Sequence, residues 1–132
     1  MCTAVTYKTS NFYFGRTLDY EFSYGETVTI MPRNYELKLR FLDTIKTHYA
    51  IIGMAHVTDS YPLFYEAMNE KGLCVAGLNF VGNAHYFEQK KDKINVAQFE
   101  FILYILVSCK SVDEVIELMK SVNITNTPYS DK

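Results

Sequence analysis

No stretch of the chain is apolar for long enough to span a bilayer, and the opening MCTAVTYKTSNFYFGR lacks the charged region and apolar run of a secretory leader. A cytoplasmic protein without membrane insertion is the expectation, with export by a route that leaves no such leader as the alternative. Only three cysteines occur, Cys2, Cys74 and Cys109, and their spacing forms neither a disulfide framework nor a zinc pattern such as C-x2-C. The three histidines, His48, His56 and His85, have no HExxH-like arrangement, so metal chemistry has little support. Excess positive charge is missing as well. A formal charge of −2 gives no footprint for nucleic acid or an anionic membrane surface. The one basic run, KKDK at 90–93, contains Asp92 and reads as a solvated loop. Gly-rich phosphate loops, repeats and linkers are absent, so nothing divides residues 1–132 into two domains.

What is present is apolar and aromatic. The apolar fraction of 48% argues against disorder, and 11 Tyr and 9 Phe supply much of it. Rings of this size build a core or line a pocket, and the Tyr hydroxyls then need partners. Residues 2–7 and 12–17 flank the turn-like KTSN and suggest a hairpin with one face buried. TVTIMP at 27–32 is a further strand, which Pro32 keeps from a central position. YAIIGMAHV at 49–57 reads as a largely buried strand. Residues 61–80 read as a second hairpin whose turn is NEKG, where Asn69 and Gly72 suit backbone geometry that other residues resist.

The period then changes from two to about 3.6. The spacing predicts a helix over 95–109, with Asn95 as N-cap and Gln98 as its reciprocal partner, and a second over 111–122, with Ser111 and Glu114 in capping-box spacing. The second is amphipathic, with Val112, Val115, Ile116 and Met119 on one side. The first is apolar around nearly its whole circumference between Phe99 and Val107, and must be covered on more than one side. The tail NITNTPYSDK is expected to end without a further element. Strands followed by two helices form an α+β sheet covered on one side, which leaves the opposite face in need of apolar cover. The pattern predicts the N-terminal part of a larger domain or a truncated gene product; a small domain that dimerises through the open face is the alternative.

Cys2 is the residue with most chemistry. Removal of Met1 would leave a free α-amine beside the thiol, and such groups ionise near 7.7 and 8.5 when unperturbed, roughly where both are useful at neutral pH. The amine can take the thiol proton and later return a proton to a leaving amine, so one residue supplies nucleophile and base. The plain alternative is a small buried hydrophobe at the start of a strand. In FYFGRTLDY, the hairpin returns Arg16 toward the Cys2 end, where a guanidinium favours thiolate and the Asp19 carboxylate holds the ammonium; the alternative is an exposed Arg16–Asp19 ion pair. Asn79 interrupts an apolar strand end, where its N–H can meet a developing oxyanion or simply edge a loop.

At these residues the chain resembles the choloylglycine hydrolase family, the conjugated bile salt hydrolases and penicillin V acylases among the N-terminal nucleophile hydrolases. MCTAVT, YFGRTLDYEFSY, MPRNYE, YAIIGMAH, YPLFYEAMNEKGLCVAGLNF and SVDEVIELMK all look like family segments in family order. The combination of Cys2, FGRTLD and NEKGLCVAGLNF is the specific signal. The resemblance implies Cys2 as nucleophile with its α-amine as base, Arg16 and Asp19 as active-site residues, and Asn79 as an oxyanion-hole side chain. It further implies the four-layer αββα fold of the full-length family, of which residues 1–132 would be the N-terminal portion, and a homo-oligomeric complete enzyme that needs no cofactor. Asn at position 79 favours glycine- or taurine-conjugated bile acids over penicillin V and other N-acyl amides. Leu18, Phe22, Tyr24, Thr58 and Tyr65 are the implied substrate-binding residues. Two departures stand out. Val81 replaces the proline usual in GLNFPG, and the second active-site Asn, further Arg and second sheet that the resemblance implies are not found within residues 1–132, so that this stretch alone is expected to be inactive.

Overall fold

The structure is a computed structural model describing residues 2–59 and 61–129. Residues 3–17 close a hairpin, as expected. Strands β1 (Thr3–Lys8) and β2 (Phe12–Thr17) run antiparallel with Ala4 opposite Arg16 and Lys8 opposite Phe12. Neither face of the hairpin is buried, however: β1 is exposed throughout and only Phe14, Gly15 and Arg16 of β2 are partly covered, because the hairpin lies at the edge of the fold with no layer outside it. The Thr9 hydroxyl holds the turn by accepting the Asn11 N–H at 3.1 Å.

A separate four-stranded antiparallel sheet has the order β3 (Thr27–Met31), β4 (Ile51–Thr58), β5 (Tyr61–Asn69), β6 (Cys74–Ala76). β3 lies at an edge with Pro32 just past its end, where a missing N–H costs the ladder nothing. Gly53 of β4 faces Ala67 next to a bulge between Met54 and Ala55. The approach is so close that a Cβ there would lie 2.1 Å from the Glu66 carbonyl oxygen. Only glycine admits it. The β5–β6 turn uses Gly72 at φ +86° and Asn69, whose side-chain oxygen accepts from the N–H groups of Lys71 at 3.0 Å and Leu73 at 3.1 Å.

The helix starts later than the spacing predicts. Ile94–Ala97 form strand β7, then a 3-10 turn (Gln98–Glu100) leads into α1 (Phe101–Ser108). The tail correspondingly contains β8 (Val122–Thr125), which pairs with β7 in parallel. Asn95 is therefore no N-cap: its amide closes the preceding loop through the Lys90 N–H (2.9 Å) and carbonyl (2.8 Å) and accepts from Asn123 (2.9 Å). Gln98 holds the tail instead, donating to the Thr127 carbonyl at 2.8 Å and accepting its N–H at 2.9 Å. Helix α2 (Val112–Met119) begins at the expected cap, the Ser111 hydroxyl accepting the Glu114 N–H at 3.3 Å. The reciprocal Glu114 bond goes one residue further back, to the Lys110 N–H at 2.8 Å. Val115 and Leu118 pack on the core, whereas Val112, Ile116 and Met119 are exposed, so the buried side of α2 is narrower than its periodicity suggests.

The all-round apolar α1 does find cover. Leu103–Val107 are all buried, in one core with Ile51, Phe64 and Ala67 of the sheet, Val96 of β7, and Leu37 and Leu39 of the segment after β3. Asn69, 1% exposed, fastens the sheet to this helix by donating to the carbonyls of Leu106 (2.9 Å) and Cys109 (2.7 Å). Helices thus lie on one face of the sheet and the β1–β2 hairpin on the other. The hairpin covers that face incompletely: Val28, Ile30, Ile52 and Met68 remain exposed. The architecture is α+β with an apolar face left open, as the element pattern predicts.

Candidate active site

Continuing the hairpin register by one residue sets Cys2 opposite Leu18. Side chains alternate along a strand, so Cys2, Ala4, Arg16 and Leu18 project from one face, with Cys2 and Arg16 as diagonal neighbours. The Cys2 thiol is partly exposed and points at the Asp19 carbonyl oxygen 4.0 Å away. Thr17 ties the same three segments together: its hydroxyl accepts the Thr3 N–H at 3.1 Å and donates to an Asp19 carboxylate oxygen at 3.0 Å. Cys2, Arg16 and Asp19 are therefore brought together at the open end of the hairpin. Met1, whose removal the chemistry needs, lies outside the described residues.

Arg16 is not the exposed partner of Asp19. Its side chain is only 3% exposed and crosses to the four-stranded sheet, where Nη1 donates to Glu66 Oε2 and Nη2 to the Gly77 carbonyl, each at 2.8 Å. Its buried Nε has no partner among the described residues. Asn79 is exposed, two residues beyond the Gly77 that holds Arg16.

Beyond Asp19 the chain presents rings at alternate positions. Tyr20 stands 5.5 Å from both Tyr24 and Tyr65, and Phe22 stands 4.9 Å from Tyr24. Burial pushes the Tyr20 phenol up, and the neighbouring Cys2 thiol adds to the rise while Arg16 opposes it. Leu18 is partly buried at the base of the same loop. Thr58 has different company. Its hydroxyl bonds His56 Nε2 at 2.7 Å, and it lines a cleft of about 680 Å³ with Lys38, Arg40, Phe99 and Glu100, whose carboxyl burial pushes up. A second cleft of about 650 Å³ runs between hairpin and sheet, walled by Phe12, Phe14, Val28, Ile52, Met68 and Cys74.

Tyr20 and Glu66 were not apparent as site residues from the chain alone. Glu66 had one usable signal, a lone carboxylate inside the otherwise apolar β5. Tyr20 had another, three rings at i, i+2 and i+4 directly after Asp19. Val81, in place of the family's usual proline, occupies a turn closed by the Asn83 N–H on the Phe80 carbonyl at 3.1 Å, with Gly82 at φ +79°. Those are the features of a type II turn. Among the described residues no group of three His, Cys, Asp or Glu side chains is placed to hold a metal ion, and no helix is long and apolar enough to cross a membrane.

The chain is similar to known proteins. The chain is 50% identical over its full length to a bile salt hydrolase/transferase of Lactiplantibacillus plantarum, covering 41% of that protein. It is 43% identical over 129 residues to a conjugated bile acid hydrolase of Lactobacillus gasseri, again covering 41% of it. A crystal structure of a mutant conjugated bile acid hydrolase from Clostridium perfringens superimposes with a TM-score of 0.89 at 36% identity, over 100% of this chain and 41% of that one. The chain thus spans about two fifths of the length of these relatives. The family model for linear amide C–N hydrolases of the choloylglycine hydrolase family matches residues 2–132, and with the shared fold this means that the chain belongs to that family.

Proposed function

We propose that the complete polypeptide hydrolyses the amide bond of glycine- or taurine-conjugated bile acids, with Cys2 as nucleophile. The observation that carries this reading is the hairpin end itself, where the Cys2 thiol lies against Asp19 and shares a face with the buried Arg16. Once Met1 is removed, the α-amine of Cys2 takes the thiol proton, directly or through one water. The sulfur bonds to the amide carbonyl carbon and the carbonyl π electrons move to oxygen, where the Asn79 side-chain N–H and groups beyond residue 132 hold the oxyanion. The C–N bond breaks as the ammonium gives its proton to the leaving nitrogen, which releases glycine or taurine and leaves a thioester. The amine then deprotonates a water, whose oxygen bonds to the thioester carbon, and the C–S bond breaks as the ammonium returns its proton to sulfur, which frees the bile acid and restores the thiol and amine.

Leu18, Phe22, Tyr24 and Tyr65 form one wall for the apolar steroid, whereas Thr58 lines a different cleft with Phe99 and Glu100 and is not part of that wall. Tyr20, packed between Tyr24 and Tyr65, joins that wall. The reading extends to a cytoplasmic, homo-oligomeric complete enzyme that contains the second sheet. The test is release of free glycine and taurine from conjugates by the complete polypeptide, set against release of phenoxyacetate from penicillin V. Faster release from the penicillin would move the substrate assignment to the acylase side of the family, and release from neither would overturn the enzyme reading.

A further inference from the structure

Arg16 enters the space between hairpin and sheet with its charge almost wholly out of water, and a guanidinium in that position needs a carboxylate. Glu66 is that carboxylate. The two groups that hold Arg16 belong to one end of the β5–β6 ladder. Glu66 faces Ala76, the residue before Gly77, and the Gly77 N–H donates to the Tyr65 carbonyl at 2.8 Å. Gly77 is itself wedged: a Cβ there would stand 3.2 Å from Ile102 of α1 and 3.3 Å from the Tyr65 carbonyl oxygen. The frame around Arg16 is therefore continuous with the helix layer. Left on the hairpin alone, an arginine has many rotamers to sample. Held by two terminal nitrogens, it has one, on the hairpin face it shares with Cys2.

We propose that Glu66, assisted by the Gly77 carbonyl, is a positioning residue that fixes the Arg16 charge beside the Cys2 sulfur, so that thiol reactivity depends on the hairpin being docked on the sheet. This rests on the reading of Cys2 as nucleophile, yet thiol reactivity is measured without any bile acid, so the two stand or fall separately. Absence of amide hydrolysis with the reactivity pattern below intact would remove the substrate assignment alone.

The test is the rate of Cys2 alkylation by iodoacetamide at pH 7, followed by peptide mass spectrometry with added glutathione as the reference thiol. Glu66→Ala releases Arg16 and should slow alkylation about tenfold, whereas Glu66→Gln still offers an oxygen to Nη1 and should stay within about twofold. Glu66→Asp keeps the charge but falls one methylene short, so it should slow the reaction by at least about threefold, and it serves if the alanine variant does not fold. Acceleration in both the alanine and glutamine variants would mean that only the charge of Glu66 matters. Wild-type rates in the alanine or aspartate variant would mean a purely structural anchor. Either result overturns the proposal.

Discussion

Arg16 and Glu66 are fifty residues apart in the chain and meet at 2.8 Å across the gap between two separate sheets, joining β2 of the hairpin to β5. The contact places the hairpin, and with it the N-terminal cysteine, against a sheet that is itself backed by α1. Local strand pairing makes the hairpin; this long-range ion pair orients it.

The Gly53 position should tolerate no side chain. A Cβ at 2.1 Å from the Glu66 carbonyl oxygen forces β4 and β5 apart at the residue that holds Arg16. Gly53→Ala is expected to destabilise the protein by about 2–3 kcal/mol, at the upper end of overpacking costs, in urea unfolding. A loss below about 0.5 kcal/mol would show that the strands shift freely there.

Asn69 joins a turn to a helix end. Replacing it with alanine leaves the Leu106 and Cys109 carbonyls without their side-chain donor and removes the acceptor for Lys71 and Leu73. The expected cost is roughly 2–4 kcal/mol by denaturant titration, since each buried group left unpaired costs about 1–3 kcal/mol. Asn69→Asp should be nearly as damaging, because it keeps the acceptor and loses the donor.

Val81→Pro should stabilise. The residue is exposed and stands second in a turn whose third residue, Gly82, has positive φ, which suits proline's fixed φ. A gain of about 0.4–1 kcal/mol is expected from the reduced freedom of the unfolded chain. A measured loss would show that the Val81 backbone departs from type II geometry.

Acid should loosen the segment after β3 before it unfolds the core. Hydrogen bonds from Arg33 hold the Glu70 carboxyl down at about 2, below its ordinary 4.5, and the same carboxylate accepts the Ala50 N–H at 3.1 Å. A group with a lowered folded-state pKa contributes stability that is complete above the ordinary value and disappears as pH falls toward the lowered one. Exchange of the Ala50 amide should therefore accelerate between pH 4.5 and about 2, after correction for intrinsic rates, and Glu70→Gln should abolish that dependence. The pair is open to solvent, so the effect is local and salt-sensitive.

Much of this fold was legible because its signals are local. Alternation marks the first hairpin, Asn69 and Gly72 mark the β5–β6 turn, and Ser111 marks the start of α2. β7 and β8 were hidden for the opposite reason. Ile94–Ala97 becomes a strand only by pairing with Val122–Thr125, and that parallel partner leaves no pattern in a short window. The Asn95 and Gln98 side chains likewise serve contacts with residues 90, 123 and 127 rather than a helix start. In the site, Cys2, Arg16 and Asp19 could be grouped from the hairpin alone, while Glu66 required knowledge of how one sheet docks on another.

The role of Cys2 as nucleophile is read most directly by mass spectrometry of the N-terminal peptide after brief incubation of the complete polypeptide with a glycine-conjugated bile acid and an acid quench. Loss of Met1 and an acyl adduct on Cys2 are expected, formed with a burst of free glycine and absent in Cys2→Ala. Undiminished glycine release by Cys2→Ala, or turnover with Met1 still in place, would contradict it.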